Sequence, residues 1–238
     1  MAESVGQNNK MRLHSFKQIS SKPDRALLPV KTRITKILAA LKQAYPNARC
    51  SLNFSNPIEL LVATILSAQC LDTLVNKVTA GLFRKYRTAS DYAQTKLEAL
   101  EHDVSRVNFY RNKAKHIQQS CRLLVERFDS KVPRRMEELL QLSGVARKTA
   151  NVVLANAYGV TAGIVVDTHV LRVSQRLGLT SETDRDKIER ELMELIPQVC
   201  WIQFAHQMIA HGRSVCTAKT PQCTTCPIGK PFCPSYHT

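Results

Sequence analysis

The sequence predicts an all-α protein, and three observations lead to this prediction. Apolar residues recur at helical spacing along most of the 238 residues. Strand signals are nearly absent, since the run Ile164-Val165-Val166 is short and leads into a predicted helix. With 44% hydrophobic and 22% charged residues, the chain has the composition of a folded protein and enough length for one large domain or two small ones.

The helices are predicted in order from their periodicity and end signals. The first runs from Val30 to Tyr45, where Pro46 closes it. The second starts at Asn56-Pro57-Ile58-Glu59, with Asn56 as the cap, Pro57 in the first turn and Glu59 reaching back. Further helices are predicted near 72–86, 90–101, 111–128, 135–142, 147–158, 168–177 and 184–196.

The charge balance indicates a polyanionic partner. Lys and Arg total 34 against 19 Asp and Glu, a net charge of +15. A field this positive attracts polyanions, of which nucleic acid is the first candidate and an acidic membrane surface the second. Residues 1–28 form a basic N-terminal arm without periodicity, which either touches phosphate or is a solvated tail.

No segment predicts membrane insertion or secretion. The most apolar stretch, Val152 to Val166, is too short to span a bilayer and contains Asn156, Gly159 and Thr161. The N-terminus has no apolar signal core. We expect a bacterial-type cytoplasmic protein without a membrane partner, and an organellar address stays open.

Four of the eight cysteines are close together near the C-terminus and predict one metal site. Cys216, Cys223, Cys226 and Cys233 are spaced Cys-x6-Cys-x2-Cys-x6-Cys, in a segment with no apolar periodicity. Four thiolates suit zinc or an iron–sulfur cluster. Only Cys223 and Cys226 form a close pair, so the wide outer spacing favours a cluster with four separate corners. Zinc and four unrelated thiols are the alternatives.

The segment from Leu139 to Ala150 predicts a helix-hairpin-helix element. One helix ends near Leu142, Ser143-Gly144-Val145-Ala146 forms a tight turn, and a second helix opens at Arg147. Gly144 lets the backbone approach a ligand, and the free amides of the second helix bind phosphate well. Such an element contacts the DNA backbone and gives affinity without sequence choice.

Two residues near the hairpin are candidates for catalysis. Lys148 lies in the first turn of the second helix, where the helix dipole and Arg147 disfavour another positive charge. Both effects raise the fraction of free amine, the form that a nucleophilic lysine requires. The alternative is a lysine that contacts phosphate or is merely solvated. Asp167 precedes another helix, so its default role is an N-cap, which does not exclude catalysis.

These motifs together resemble the endonuclease III family of DNA repair glycosylases. The resemblance runs from about Val30 to the C-terminus. It depends on Leu66-Ser67-Ala68-Gln69, on Gly144 to Val153, on Val166-Asp167-Thr168-His169, and on His211-Gly212-Arg213 leading to Cys216. One such motif would be weak, but four in the family's order are specific.

The resemblance implies two helical domains with DNA in the cleft between them. The first is a six-helix bundle over 50–160, with the helix-hairpin-helix at about 137–158. The second joins 29–49 to 161–238 and carries a [4Fe–4S] cluster in the loop 216–233, on Cys216, Cys223, Cys226 and Cys233.

The resemblance also assigns roles to single residues. Lys148 is the nucleophile and Asp167 its essential partner. Gln69 fills the gap left by a flipped base, and Phe109 is the residue that wedges into the duplex. The hairpin contacts DNA through Gly144, Ala146, Arg147 and Thr149.

The sequence departs from the family pattern without losing a reacting group. Ser143 replaces a proline and Ala146 a second glycine, which would cost about 1 kcal/mol if that position needed a positive φ. Asn108 replaces a usual glycine before Phe109. Lys148 and Asp167 stand one residue further apart than usual, and the last cysteine gap is six instead of five.

The expected activity is that of a bifunctional DNA glycosylase and abasic-site lyase. It would remove oxidised pyrimidines from duplex DNA as a monomer and cleave the strand by β-elimination through a lysine Schiff base. A mismatch thymine glycosylase and an adenine glycosylase of the same superfamily are alternatives. A non-catalytic DNA-binding protein that uses only the hairpin is a third, and the presence of both Lys148 and Asp167 argues against it.

Overall fold

The computed structural model describes residues 28–237, and the described chain is helical throughout, without strands. The predicted arm at 1–28 lies outside this range except for its last residue. The α-helices of the described part are α1 Val30–Ala44, α2 Pro57–Ser67, α3 Asp72–Lys85, α4 Ala89–Gln94, α5 Leu97–Asp103, α6 Tyr110–Arg127, α7 Met136–Leu139, α8 Arg147–Tyr158, α9 Thr168–Arg176, α10 Arg185–Leu195 and α11 Trp201–Ser214.

The predicted start of α2 rests on a cap that the structure contains. The Asn56 side chain accepts a hydrogen bond from the Glu59 amide at 3.0 Å, and Pro57 opens α2. The Glu59 carboxylate reaches back one residue further than expected and accepts from the Ser55 amide at 2.6 Å. The cap and the proline together fix where α2 enters the bundle.

The single helix predicted at 90–101 is wrong, because two helices occupy this segment. A capping box between Thr88 and Asp91 starts α4. Thr95 and Lys96 are then extended, and the Gln118 side chain of α6 donates to the Thr95 carbonyl at 2.7 Å. The carbonyl at the break between α4 and α5 is thus hydrogen-bonded to a side chain of another helix.

Helix α11 is absent from the sequence prediction. Polar residues on its inner face, among them the buried Gln207 and His211, obscure its apolar periodicity. The short strand signal at Ile164-Val165-Val166 is instead a buried extended segment that leads into α9. Helix α11 packs on α9 and α1, so it forms the centre of the second half of the fold.

The buried apolar residues form two clusters. The first lies between Leu52 and Leu154, within α2 to α8 and their loops. The second combines α1 with residues from Ile164 to Ile228. Val152 of α8 packs against both clusters. The two hydrophobic cores therefore meet at α8, the helix that carries Lys148.

A buried arginine joins the start of the described chain to its end. Arg33 of α1 is 6% exposed and donates to the carbonyls of Leu177 at 2.7 Å and Phe232 at 2.9 Å. It also donates to the carbonyls of Gly178 and Leu28. These bonds fix the C-terminal loop on α1 and α9. Nowhere in 28–237 is a helix long and apolar enough to cross a bilayer.

Candidate active site and DNA interface

The turn between α7 and α8 requires glycine at one position and accepts alanine at another. Gly144 has φ +75°, and a Cβ there would lie 2.9 Å from the Cβ of His116. Ala146, the N-cap of α8, has φ −89°, which any residue adopts. The strain considered for alanine at this position is therefore not present.

Side chains of α6 hold the turn where the family has proline. The Ser143 hydroxyl donates to Gln119 Oε1 at 2.8 Å and is also hydrogen-bonded to His116 Nδ1 at 2.8 Å. Ser120 donates to the Ser143 carbonyl at 2.8 Å. Hydrogen bonds to α6 thus restrict the hairpin at a position where a proline ring would otherwise do so.

The N-terminus of α8 is open to solvent. Ala146 provides no side-chain cap, so the first amides of the helix have no side-chain acceptor there. Gly144, Ala146 and Lys148 are exposed, and Thr149 is half-buried. The exposed amides and the positive end of the helix dipole suit a phosphate at this position.

Arg147 is bound within the protein. Its Nε donates to Glu189 Oε2 at 2.8 Å and its Nη2 to Glu189 Oε1 at 3.2 Å. Glu189 lies on α10, is 3% exposed, and accepts a third bond from Asn151 at 2.8 Å. Gly163 packs against this carboxylate so closely that a Cβ would overlap Glu189 Oε1. The hairpin helix is thereby tied to the second hydrophobic cluster.

Asp167 uses one carboxylate oxygen as a helix cap. Its Oδ1 accepts from the amides of His169 and Val170, each at 2.8 Å. Within the described residues, Oδ2 has no hydrogen-bond partner. The predicted cap is confirmed, and the second oxygen is left available for a charge that develops beside it.

Lys148 and Asp167 line one cavity of about 140 Å³ between the two clusters. Its walls combine α2, α8 and α11 with the loops at 49–52 and 163–167. Other lining residues include Cys50, Leu52, Thr64, Asn156 and His206. The structure therefore brings together the two residues that were predicted to react.

A polar network borders the same cavity. Arg213 of α11 donates to Asp72 Oδ2 of α3 at 2.7 Å, and the Ser51 hydroxyl donates to the same oxygen at 2.6 Å. All three residues line the cavity. This network joins α11 to α3 across the gap between the clusters. Arg213 belongs to one of the sequence motifs, whereas no motif contains Asp72 or Ser51.

Gln69 and Phe109 lie on two neighbouring loops and not in the cavity wall. Gln69 follows α2 and is exposed, and Phe109 precedes α6 and is 62% exposed. Both adopt left-handed backbone conformations, with φ 53° and 57°. Exposure makes a core role for Phe109 untenable and leaves its side chain free to contact a ligand.

The four C-terminal cysteines line a second cavity, of about 60 Å³, together with Arg176 and His211. All four are free thiols. Arg176 donates to Cys216 Sγ at 3.3 Å, and Cys226 Sγ lies 3.8 Å from His211 Nε2. Burial raises the pKa of Cys233 to about 11.

Four thiols around one cavity are a donor set that suits an iron–sulfur cluster or zinc. In the described part of the chain, no three His, Cys, Asp or Glu side chains converge closely enough to hold a metal ion.

No sequence signal marks Glu189 or Asp72, because the residues they bind are distant in the chain. Glu189 lies in a helix that shows an ordinary amphipathic pattern, and its partner Arg147 is 42 residues away. Asp72 and Arg213 are 141 residues apart. A buried acid beside a motif arginine is visible only in the folded chain.

Comparisons with known proteins show to which family the chain is similar. The HhH-GPD superfamily base excision DNA repair protein family matches residues 62–198. A protein from Synechocystis sp. named Endonuclease III is 55% identical over 211 residues, which cover 89% of this chain and 96% of that protein. The Endonuclease III of Bacillus subtilis is 48% identical over 185 residues, 77% of this chain and 84% of that protein.

A solved structure adds the three-dimensional likeness. The structure of a non-covalent endonuclease III–DNA complex has a TM-score of 0.83 and 46% identity, and the match covers 87% of this chain and 97% of that chain. The predicted all-α fold and the family resemblance are confirmed. The chain belongs to the endonuclease III family of DNA repair glycosylases, within the HhH-GPD superfamily.

Proposed function

We propose that the protein excises oxidised pyrimidines from duplex DNA and then cleaves the strand at the resulting abasic site. As an endonuclease III family member it is a DNA glycosylase and abasic-site lyase of base excision repair. The proposed substrate and reaction depend on one observation: Lys148 and Asp167 line the same cavity. An amine and a carboxylate in one cleft supply a nucleophile and a countercharge.

Lys148 is the proposed nucleophile. Its Nζ attacks C1′ of a nucleotide that has left the base stack, the C1′–N bond breaks with its electron pair going to the base, and the base takes up a proton from water. The new C1′–Nζ ammonium then loses a proton, the ring oxygen O4′ gains one, and the C1′–O4′ bond breaks to give a Schiff base. Removal of a C2′ proton then expels the 3′ phosphate, which breaks the strand. Exposure of Lys148 at the open end of α8 supports its access to the sugar.

Asp167 is the proposed electrostatic partner. Positive charge builds on the sugar as the C1′–N bond lengthens, and a fixed carboxylate offsets that charge. The cap held by Oδ1 fixes the carboxylate, while Oδ2 keeps free lone pairs. The helix cap therefore also orients the Asp167 carboxylate for the reaction.

The DNA contacts are proposed for three parts of the surface. Amides of Gly144, Ala146, Arg147 and Thr149 bind backbone phosphate, which gives affinity without sequence choice. Gln69 fills the gap left by the flipped base, and Phe109 enters the stack. Arg147 offers its third guanidinium nitrogen, Nη1, as a donor beside the hairpin, since Nε and Nη2 bind Glu189.

A [4Fe–4S] cluster is proposed on Cys216, Cys223, Cys226 and Cys233. The four thiolates would hold the C-terminal loop in place, since a metal centre supplies folding free energy where apolar burial is scarce. We also propose the domain limits 50–160 and 29–49 plus 161–238, a monomeric state, and a bacterial-type cytoplasmic location.

The test is turnover of the full chain on a panel of duplexes, each with one defined lesion. Duplexes with thymine glycol or 5-hydroxycytosine should lose the base and be nicked, and a preformed abasic site should be nicked. A G·T mismatch and an undamaged duplex are the controls. Excision of only the mismatched thymine would identify the rival glycosylase, and binding without any strand cleavage would identify a non-catalytic protein.

A further inference from the structure

The two side chains proposed to enter the duplex are joined by a third residue. Asn108 precedes Phe109 in the α5–α6 loop, and its Nδ2 donates to the backbone carbonyl of Gln69 at 2.9 Å. Gln69 lies 39 residues earlier, in the α2–α3 loop. A single side-chain bond thus connects the two loops next to both of the proposed inserting residues.

A second bond from the same segment supports this connection. Lys113, in the first turn of α6, donates to the Leu66 carbonyl at 2.7 Å and is 5% exposed. Leu66 lies near the C-terminal end of α2, where carbonyls lack helical partners. Burial lowers the pKa of Lys113, so this contact is made within a largely desolvated setting. Residues 66–69 are therefore held at two points by residues 108–113.

The backbone at both loops is strained. Gln69 and Phe109 are non-glycine residues with φ 53° and 57°, a region that side chains disfavour. Such conformations persist where the surroundings over-determine them, and they are frequent at functional sites. The hydrogen bond from Asn108 restrains the strained residue Gln69. Asn108 itself lies in the loop that contains Phe109, the other strained residue.

We propose that Asn108 is a positioning residue that makes Gln69 and Phe109 act as one unit when the target base is extruded. This inference rests on the proposed function. Gln69 and Phe109 must enter the duplex at the same base step, one into the gap and one into the stack. A bond that fixes the distance between their loops before binding reduces the ordering required in the complex. The usual glycine at position 108 has no side chain to make this bond.

The test compares base excision with abasic-site cleavage under single-turnover conditions. Asn108→Ala should slow excision of thymine glycol about 3- to 10-fold, the effect expected for one hydrogen bond. Cleavage of a preformed abasic duplex should change less than about 2-fold, since no base has to be extruded. Asn112→Ala, which alters an exposed asparagine in the first turn of α6, is the matched control and should behave as wild type.

A double-mutant comparison separates positioning from general loosening. In the Gln69→Ala/Phe109→Ala background the side chains to be positioned are gone, so adding Asn108→Ala should change excision less than about 2-fold. A full additive loss in that background would overturn the inference, as would unchanged excision by Asn108→Ala alone. A parallel fall of both reactions with a lowered melting temperature would also overturn it. Wild-type protein that neither excises nor nicks would overturn the proposed function itself.

Discussion

Arg147 and Glu189 form a two-point ion pair between the hairpin helix α8 and helix α10, at 2.8 and 3.2 Å. The acid is 4% exposed and the arginine 40% exposed at their side chains. A fork-shaped pair of this kind fixes orientation as well as distance. Because Lys148 follows Arg147 directly, the pair also fixes the first turn of α8, from which the Lys148 side chain extends.

Removing the arginine should destabilise the protein. Arg147→Ala leaves the Glu189 carboxylate buried with only the Asn151 bond, and we expect a loss of about 2–4 kcal/mol in the free energy of unfolding. Arg135→Ala is the control, because its pair with Glu137 is 72% and 75% exposed and should contribute less than about 0.5 kcal/mol. Urea unfolding measures both. If both variants lost the same free energy of unfolding, the buried ion pair would stabilise the protein no more than the exposed pair does.

Lys148→Gln should abolish covalent trapping on abasic-site DNA. Borohydride reduces a Schiff base to a stable amine, so trapping requires the lysine nitrogen. Duplex binding should persist, since the hairpin amides that face phosphate are unchanged. Gel analysis of the reduced complex and a binding titration provide the two readouts. A variant that is still trapped would assign the nucleophile to another amine.

Asp167→Asn should separate capping from catalysis. Asparagine is a competent cap, so the free energy of unfolding should change by less than about 1 kcal/mol. The amide cannot offset positive charge on the sugar, so excision should fall by about 100-fold or more. Asp167→Ala should show the same loss of excision and a further loss of about 1 kcal/mol in stability. If Asp167→Asn keeps near-normal excision, the residue only caps α9.

Two opposite substitutions in the hairpin should have unequal effects. Gly144→Ala places a Cβ 2.9 Å from His116 at φ +75°, which costs about 1 kcal/mol or more and should weaken duplex binding by about 5-fold. Ala146→Gly, which installs the usual family residue, should alter affinity by less than about 2-fold because φ is already −89°. Fluorescence anisotropy with undamaged duplex compares them. If Ala146→Gly weakened duplex binding more than Gly144→Ala did, the turn would have to change conformation when it binds DNA.

Purified protein should be brown and contain iron and acid-labile sulfide. Cys226→Ser should lower both contents and loosen the C-terminal loop, because Ile228 is the one buried apolar side chain among the described residues after Gly212. Limited proteolysis within 215–237 reports the loosening, and Cys200→Ser is the control outside the cavity. Colourless active protein with one zinc per chain would show that the cluster assignment is wrong.

The helix ends and caps that the sequence predicted correctly are encoded by neighbouring residues. Helix α8 has the predicted bounds, 147–158, because the turn before it and Gly159 after it are encoded by adjacent residues. The caps of Asn56 and Asp167 were predicted on the same basis.

Contacts between distant residues could not be predicted. The partners of Arg147 and Asn108 depend on how helices pack, and helix α11 buries polar side chains whose partners come from elsewhere in the fold, as His211 does with Tyr45. The family resemblance predicted that Lys148 and Asp167 act together. Their spacing in the sequence alone does not predict that they share a cavity. The break at Thr95 arises from a side chain of α6.

The bonds of Arg33 have a consequence for the order in which the chain can fold during synthesis. They connect α1 to Phe232, 199 residues later, so the second hydrophobic cluster closes a very long loop. The bundle within 52–154 contains its own core and can fold before the segment around Phe232 has been translated. Helix α1, although made before the bundle, waits for that segment to complete its packing.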